Sequence, residues 1–270
     1  MRSSRPFLQK HWHIQENKKY YQYHRVISIS PHSADPKYSL VIPAYNEANR
    51  ISRLLSELDD EAFEYIFVCD GTDNTPEIIT SYFQDKSYQI QCLTFPERKG
   101  KGGGIFAGFQ ATRGSLIGFM DADLSASFET IKSLFERLET EMKRDPSTGA
   151  VIGSRYAKDA QICKPQPLSR RFLSRCFNIA TKLLFHLSYY DTQCGAKVCT
   201  KEAFTSISRK VRSTGFEFDV EFIWRLEQAG YRVDEVAIVW ADAEDSRVSF
   251  STPLQMFWGL IKLRCSIFFE

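Results

Sequence analysis

Short apolar runs alternate with segments of helical spacing through the middle of this 270-residue chain. Tyr38 to Ile42 is an apolar run closed by Pro43, and Ile51, Leu54, Leu55 and Leu58 follow at helical intervals. The pattern repeats with Tyr65 to Cys69 and then Ile78, Ile79, Tyr82 and Phe83. It continues with Ile90 to Phe95, a helix over Ile105 to Ala111, Leu116 to Met120, a helix over Ile131 to Leu138, and Ala150 to Ile152. Five buried strands separated by helices predict an α/β domain with a mainly parallel sheet covered on both faces. In such sheets a ligand binds beyond the carboxyl ends of the strands, and the polar motifs of this chain stand at those ends.

The rhythm breaks over residues 154–195, where Pro165 and Pro167 mark a loop and Leu168 to Leu187 reads as a helix with a basic start. A strand near Ala196 to Cys199, a helix from Phe218 to Ala229 and a strand from Val233 to Val239 follow. The division expected is an arm over residues 1–36, one domain over 37–250 and an amphipathic helix over 251–270. The arm mixes Arg2, Arg5, Lys10, Lys18, Lys19 and Arg25 with Trp12, Tyr20 and Tyr21. It reads either as a surface-draped tail or as a contact for an anionic membrane. The last segment places Leu254, Phe257, Trp258 and Ile261 at helical spacing near Lys262 and Arg264, as an interfacial anchor or as a helix packed on the core.

Apolar residues at 43% supply a sizeable core, and a net charge of +2 does not point to nucleic acid. Seven cysteines without a Cys-x-x-Cys pair argue against a zinc ribbon, and they suit the reduced thiols of a cytoplasmic protein. No run approaches the ~20 apolar residues of a membrane span.

Chemistry concentrates in three places. Asp121-Ala122-Asp123 directly follows a buried strand. Carboxylates on alternate residues there either hold a hard divalent cation, Mg2+ or Mn2+, or serve as a helix cap and a solvated side chain. Arg98 to Gly104 carries Lys99, Lys101 and four glycines before a helix, as an anion cradle or a flexible basic loop. Asp70-Gly71-Thr72-Asp73 follows the second strand, placed to accept from a base or ribose or to close a tight turn. Pro43-Ala44-Tyr45-Asn46-Glu47 ends the first strand with the same two readings.

Taken in order, Val41 to Glu47, Asp70-Gly71, Gly100-Lys101-Gly102 and Asp121-Ala122-Asp123 resemble the family-2 glycosyltransferases of GT-A fold. Downstream, Asp191 to Lys197 and Gly215 to Glu221 resemble the dolichyl-phosphate glucose and mannose synthases, the first motif especially the glucose branch. The resemblance covers roughly residues 37–250. The chain departs from it at Cys69, where the family has Asp, by one residue missing before Asp73, and at Ala196, where the family has Phe.

The resemblance implies that Pro43, Ala44, Tyr45, Glu47, Asp70 and Ala122 line the nucleoside and that Lys101 neutralises a phosphate. Asp121 and Asp123 would position the metal and a nucleotide sugar. Arg155, Arg170, Arg171, Ser174 and Arg175 would read the phosphate of a dolichyl or other polyprenyl phosphate acceptor. The implied reaction is an in-line, inverting displacement at the anomeric carbon, with UDP-glucose as donor. It would take place on a protein peripheral to the cytosolic membrane face. A saccharide or soluble hydroxyl acceptor would instead need a carboxylate base, for which Asp219 and Glu221 are the candidates. A third possibility is a non-catalytic nucleotide-binding protein on the same fold.

Overall fold

The computed structural model describes residues 25–29, 36–164, 168–242 and 252–268. An eight-stranded sheet runs through its centre in the order β1-β4-β3-β2-β5-β8-β6-β9. The strands are β1 (Arg25–Ile29), β2 (Tyr38–Ala44), β3 (Phe63–Cys69), β4 (Gln89–Thr94), β5 (Leu116–Met120), β6 (Thr148–Ser154), β8 (Ala196–Thr200) and β9 (Arg232–Ala237). β2 to β5 pair in parallel, β6 pairs in parallel with β9, and β8 lies antiparallel between β5 and β6. Two short strands, β7 (Gln161–Lys164) and β10 (Val239–Ala241), pair separately.

Strand alternation sorts the core into two layers. Leu40, Ile42, Tyr65 and Phe67 face one layer, where α1 (Ile51–Glu57), α2 (Thr75–Phe83) and α4 (Phe128–Arg144) pack with Leu54, Phe83 and Phe135. Val41, Ile66 and Val68 face the other, under α3 (Gly100–Ala111), α6 (Lys201–Ser208) and α7 (Phe218–Gln228). α5 (Leu168–Phe185) and α8 (Thr252–Phe268) complete that second layer. Ser127 caps α4 by accepting from the Thr130 amide. No helix among the described residues is long and apolar enough to cross a membrane.

Four expectations are corrected. Pro43 does not end its strand: β2 runs on to Ala44, paired with β3 through Cys69. Its pairing with β5 stops at Val41, and proline is tolerated where one flank of a strand is already unpaired. Residues 25–29 are not part of an arm but an edge strand antiparallel to β4, because Arg-Val-Ile-Ser-Ile is β-branched and finds an open sheet edge. The remainder of the expected arm, residues 1–24 and 30–35, lies outside the described residues. The glycine-rich stretch is not a loop before a helix, since Gly100 to Gly104 form the opening of α3 itself. Finally, the stripe that α8 buries is set by Leu260 and Leu263, with Met256 and Ile267 partly covered, while Phe257 and Trp258 face outward.

Candidate active site

The carboxyl ends of β2, β3, β4, β5 and β6 share one edge of the sheet, and the start of β8 joins them, since Ala196 pairs with Met120. The segments that follow these strands meet there. After β2, Asn46 adopts a left-handed φ of 55°, and its Oδ1 accepts from the amides of Thr72 (2.7 Å) and Asp73 (3.2 Å). Asp73 in turn accepts from the Ala48 amide at 3.0 Å and from the Thr75 hydroxyl at 2.7 Å. These bonds lock the loop of Tyr45 and Glu47 to that of Asp70. Pro43 and Ala44 lie in the last turn of the β2 ladder, the Tyr45 ring carries the Arg98 guanidinium at 4.1 Å, and Glu47 is buried with its carboxylate held by Arg50.

Asp70 takes the role expected of a bound phosphate. Its Oδ2 accepts from the Lys99 amide at 2.7 Å and the Gly100 amide at 3.1 Å, at the N-terminus of α3. Burial pushes its carboxyl up, against the pull of those amides. Gly102 is required by packing: a Cβ there would stand 2.4 Å from the Phe218 Cβ, so a side chain would force α3 away from α7.

Lys101 leans from α3 onto the end of β5. Its Nζ lies 3.1 Å from Asp121 Oδ1, 3.3 Å from Oδ2, and 3.5 Å from Asp219 Oδ2. Burial works against the Lys101 charge, but the two carboxylates hold its pKa above the ordinary value. Burial and the neighbouring Asp123 raise the Asp121 carboxyl, with Lys101 opposing. Asp123 follows Asp121 by two residues, and its Oδ1 accepts from the Ser125 amide at 3.0 Å, a turn that Leu124 completes at a left-handed φ of 58°. Ala122 between them is buried. Gly195 makes room for Asp121: a Cβ there would sit 1.9 Å from Asp121 Oδ2, while the Gly195 carbonyl accepts from the Asp121 amide at 3.1 Å.

The donor set suits Mg2+ or Mn2+. Two partly exposed carboxylates at one strand end are hard oxygen ligands, and among the described residues no cluster of three or more His, Cys, Asp or Glu encloses a cation. Such a site relies on one or two carboxylates and completes its shell with substrate oxygens and water.

At the end of β6, Arg155 forms a two-pronged pair with the fully buried Asp191, at 2.6 and 2.9 Å, and its amide adds a third bond at 3.1 Å. Burial opposes both charges, yet each partner stabilises the other, so the Asp191 carboxyl lies below and the Arg155 guanidinium above its ordinary value. Arg155 also lies over the Trp240 ring at 5.5 Å. The Tyr156 hydroxyl meets Ser174 at 3.3 Å, which ties the start of α5 to this strand end. Arg171 is half-buried and Arg175 exposed on α5, and the Arg170 side chain lies outside the described residues.

The two candidate bases do not stand free. Asp219 is buried between Lys197 at 2.6 Å and Lys101 at 3.5 Å. Glu221, fully buried, accepts from the Arg212 and Ser213 amides and from Arg225 at 2.7 Å, so it does not reach the cleft. Burial pushes the Cys194 thiol up to about 12. Sequence reasoning assigned no role to Asp191, Gly195 or Lys197. All three stand in the Asp191 to Lys197 motif, but their function lies in contacts with distant segments.

The profile of Glycosyl transferase family 2 matches residues 39–207, which spans the strand ends holding Asp70, Lys101, Asp121, Asp123 and Arg155. The chain belongs to that family. It is a glycosyltransferase. A dolichyl-phosphate beta-glucosyltransferase of Dictyostelium discoideum is 28% identical over 84% of this chain and 73% of its own. A second, from Trichomonas vaginalis, is 32% identical over 83% and 70%. Glycosyltransferase AglD of Haloferax volcanii is 32% identical over 80% of this chain, which spans only 35% of AglD. Among solved structures, glucosyl-3-phosphoglycerate synthase from Mycobacterium tuberculosis, in complex with Mn2+, UDP and phosphoglyceric acid, superposes with a TM-score of 0.63 at 17% identity. That match covers 85% of this chain and 78% of the synthase. The Pyrobaculum calidifontis mannosyltransferase complexed with GDP-Man and Mn2+ gives 0.55 at 18% identity, over 80% of this chain and 59% of its own. At those identities the likeness is one of fold, and the fold is GT-A.

Proposed function

We propose that this glycosyltransferase transfers a hexose, glucose from UDP-glucose, to the phosphate of dolichyl or another polyprenyl phosphate with inversion, using Mg2+ or Mn2+. The observation that carries the reading is the charge layout of one sheet edge. A carboxylate pair with Lys101 stands at the end of β5, and the Asp191-held Arg155 stands at the end of β6. The first suits a metal-bound diphosphate and the second a phosphate acceptor, and the curated relatives carrying the dolichyl-phosphate name support the pairing.

Asp121 and Asp123 would hold the cation, which when bound supplies charge stabilisation to the departing diphosphate. Lys101 is placed to share that developing charge. Arg155, its guanidinium fixed by Asp191, would orient the acceptor phosphate with a planar fork. A phosphate acceptor is already anionic, so it needs positioning more than deprotonation. That agrees with Asp219 and Glu221 being occupied by buried partners, an arrangement that counts against a hydroxyl acceptor needing a carboxylate base.

A lipid acceptor brings the protein to a membrane surface. α5 and α8 present Phe172, Leu183, Trp258 and Phe268 to solvent at 57–78% exposure. Exposed apolar side chains of this kind suit the headgroup boundary of a membrane leaflet. Calorimetry in Mn2+ buffer tests the donor: UDP-glucose binding well ahead of GDP-mannose is expected, and tight GDP-mannose binding without UDP-glucose binding overturns that assignment. Competition between a polyprenyl phosphate and soluble sugars as acceptors tests the other half.

A further inference from the structure

The Lys197 side chain has no solvent exposure, which is costly for an ammonium unless it is paired and hydrogen-bonded. Here it is both. From β8 it donates to the Cys194 carbonyl at 2.5 Å and to Asp219 Oδ1 at 2.6 Å. The other oxygen of Asp219 faces Lys101 at 3.5 Å, and Lys101 spans both oxygens of Asp121. Charge therefore alternates along Lys197, Asp219, Lys101 and Asp121, from the protein interior to the end of β5. The Phe119 ring lies within cation–π reach of both ammoniums, 5.8 Å from Lys101 and 5.4 Å from Lys197.

We infer that Lys197 is a positioning residue for the metal–diphosphate site, acting through Asp219 to set how firmly the Lys101 ammonium is held on Asp121. The inference rests on the metal site proposed above. Lys101 is shared by two carboxylates at similar distances, and Lys197 weakens the pull of one of them by neutralising Asp219 at closer range. Lys101 therefore stays on Asp121, where a divalent cation must compete with it. With a cation on Asp121, Lys101 would be free to turn toward a bound diphosphate.

Two variants separate this relay from simple core filling. Lys197→Met removes the inner charge, so Asp219 draws Lys101 away and Asp121 opens to the cation. Lys197→Met combined with Asp219→Asn removes both inner charges, so Lys101 keeps Asp121 as its carboxylate partner in the relay. The measurement is Mn2+ binding to the full chain without nucleotide, by electron paramagnetic resonance, with thermal melting of each protein alongside. The single variant binds Mn2+ about tenfold tighter than wild type and the double variant about tenfold weaker, the scale of one unit charge at this range in a medium of intermediate dielectric.

A lysine that only fills space gives neither this pair of opposite shifts nor any dependence on Asp219. Shifts of the same sign, or none, overturn the relay while leaving the metal site standing. If the single variant does not fold, the double variant decides, because a neutral pair replaces the buried ion pair: Mn2+ binding equal to or tighter than wild type overturns the relay. Wild-type protein that binds no Mn2+ overturns the metal site and the relay together.

Discussion

Asp121 is held by a lysine on one side and crowded by a glycine backbone on the other, and both contacts fix where its oxygens lie. Gly195→Ala places a methyl group 1.9 Å from Asp121 Oδ2, so the carboxylate must turn away. We expect this variant to melt within a few degrees of wild type yet lose Mn2+ affinity. Unchanged Mn2+ binding would contradict the placement. Asp123→Ala removes the second carboxylate and should lower turnover about a hundredfold or more with the fold retained, as circular dichroism and initial rates would report.

Asp191 makes a different, structural prediction. Its folded pKa is depressed, because Arg155 and the backbone outweigh the cost of burial. The stability it contributes is therefore fully present above the ordinary carboxylate value of about 3.9 and is lost as pH falls through the lower folded value. Asp191→Asn should cost about 3 kcal/mol near neutrality, since it leaves a buried guanidinium without its counter-charge. It should also flatten the acid limb of the stability curve. Urea denaturation across pH 2 to 7 checks both, and parallel curves would rule out the assignment.

At the level of elements, α8 shows how one helix serves two surroundings. Leu260 is fully buried in the core and Trp258, two residues away, is 57% exposed. Leu260→Ala should destabilise the protein by about 3 kcal/mol. Phe257→Ser with Trp258→Ser should leave the denaturation midpoint nearly unchanged and reduce flotation with anionic liposomes. Liposome binding that survives the double change would exclude this face as the contact.

The same helix shows what the sequence could reveal. Its existence was legible from apolar spacing, but Leu254, Phe257, Trp258 and Ile261 give as good a stripe as Met256, Leu260, Leu263 and Ile267. Only the packed partner decides which stripe turns inward. Periodic segments such as β2 to β5 and α4 were legible for the same reason, whereas β1 stands outside the strand–helix alternation and the exposed β7 carries no apolar run. The glycines of α3 read as a loop because their packing against Phe218 lies more than a hundred residues away. At the site, Asp121 and Asp123 were legible as a local pair. The links from Lys101 to Asp219 and from Arg155 to Asp191 were not, because the first joins the starts of α3 and α7, the second joins the end of β6 to the loop before β8, and only the tertiary fold brings these segments together.

For the whole molecule, the parallel strands gather the charged loops at one edge, while α5 and α8 carry exposed apolar side chains. A modest net charge of +2 leaves any attraction to anionic lipid to local lysines and arginines. We propose that a metal-dependent site on this edge joins a nucleotide sugar to a lipid phosphate. The most direct measurement supplies the full chain with radiolabelled UDP-glucose, Mn2+ and dolichyl phosphate in detergent, and follows label into the organic phase. Time-dependent formation of an acid-labile glycolipid is expected, lost with a metal chelator and lost in Asp123→Ala. Label that stays in the aqueous phase while a soluble sugar accepts it, or transfer that continues under chelation, would contradict it.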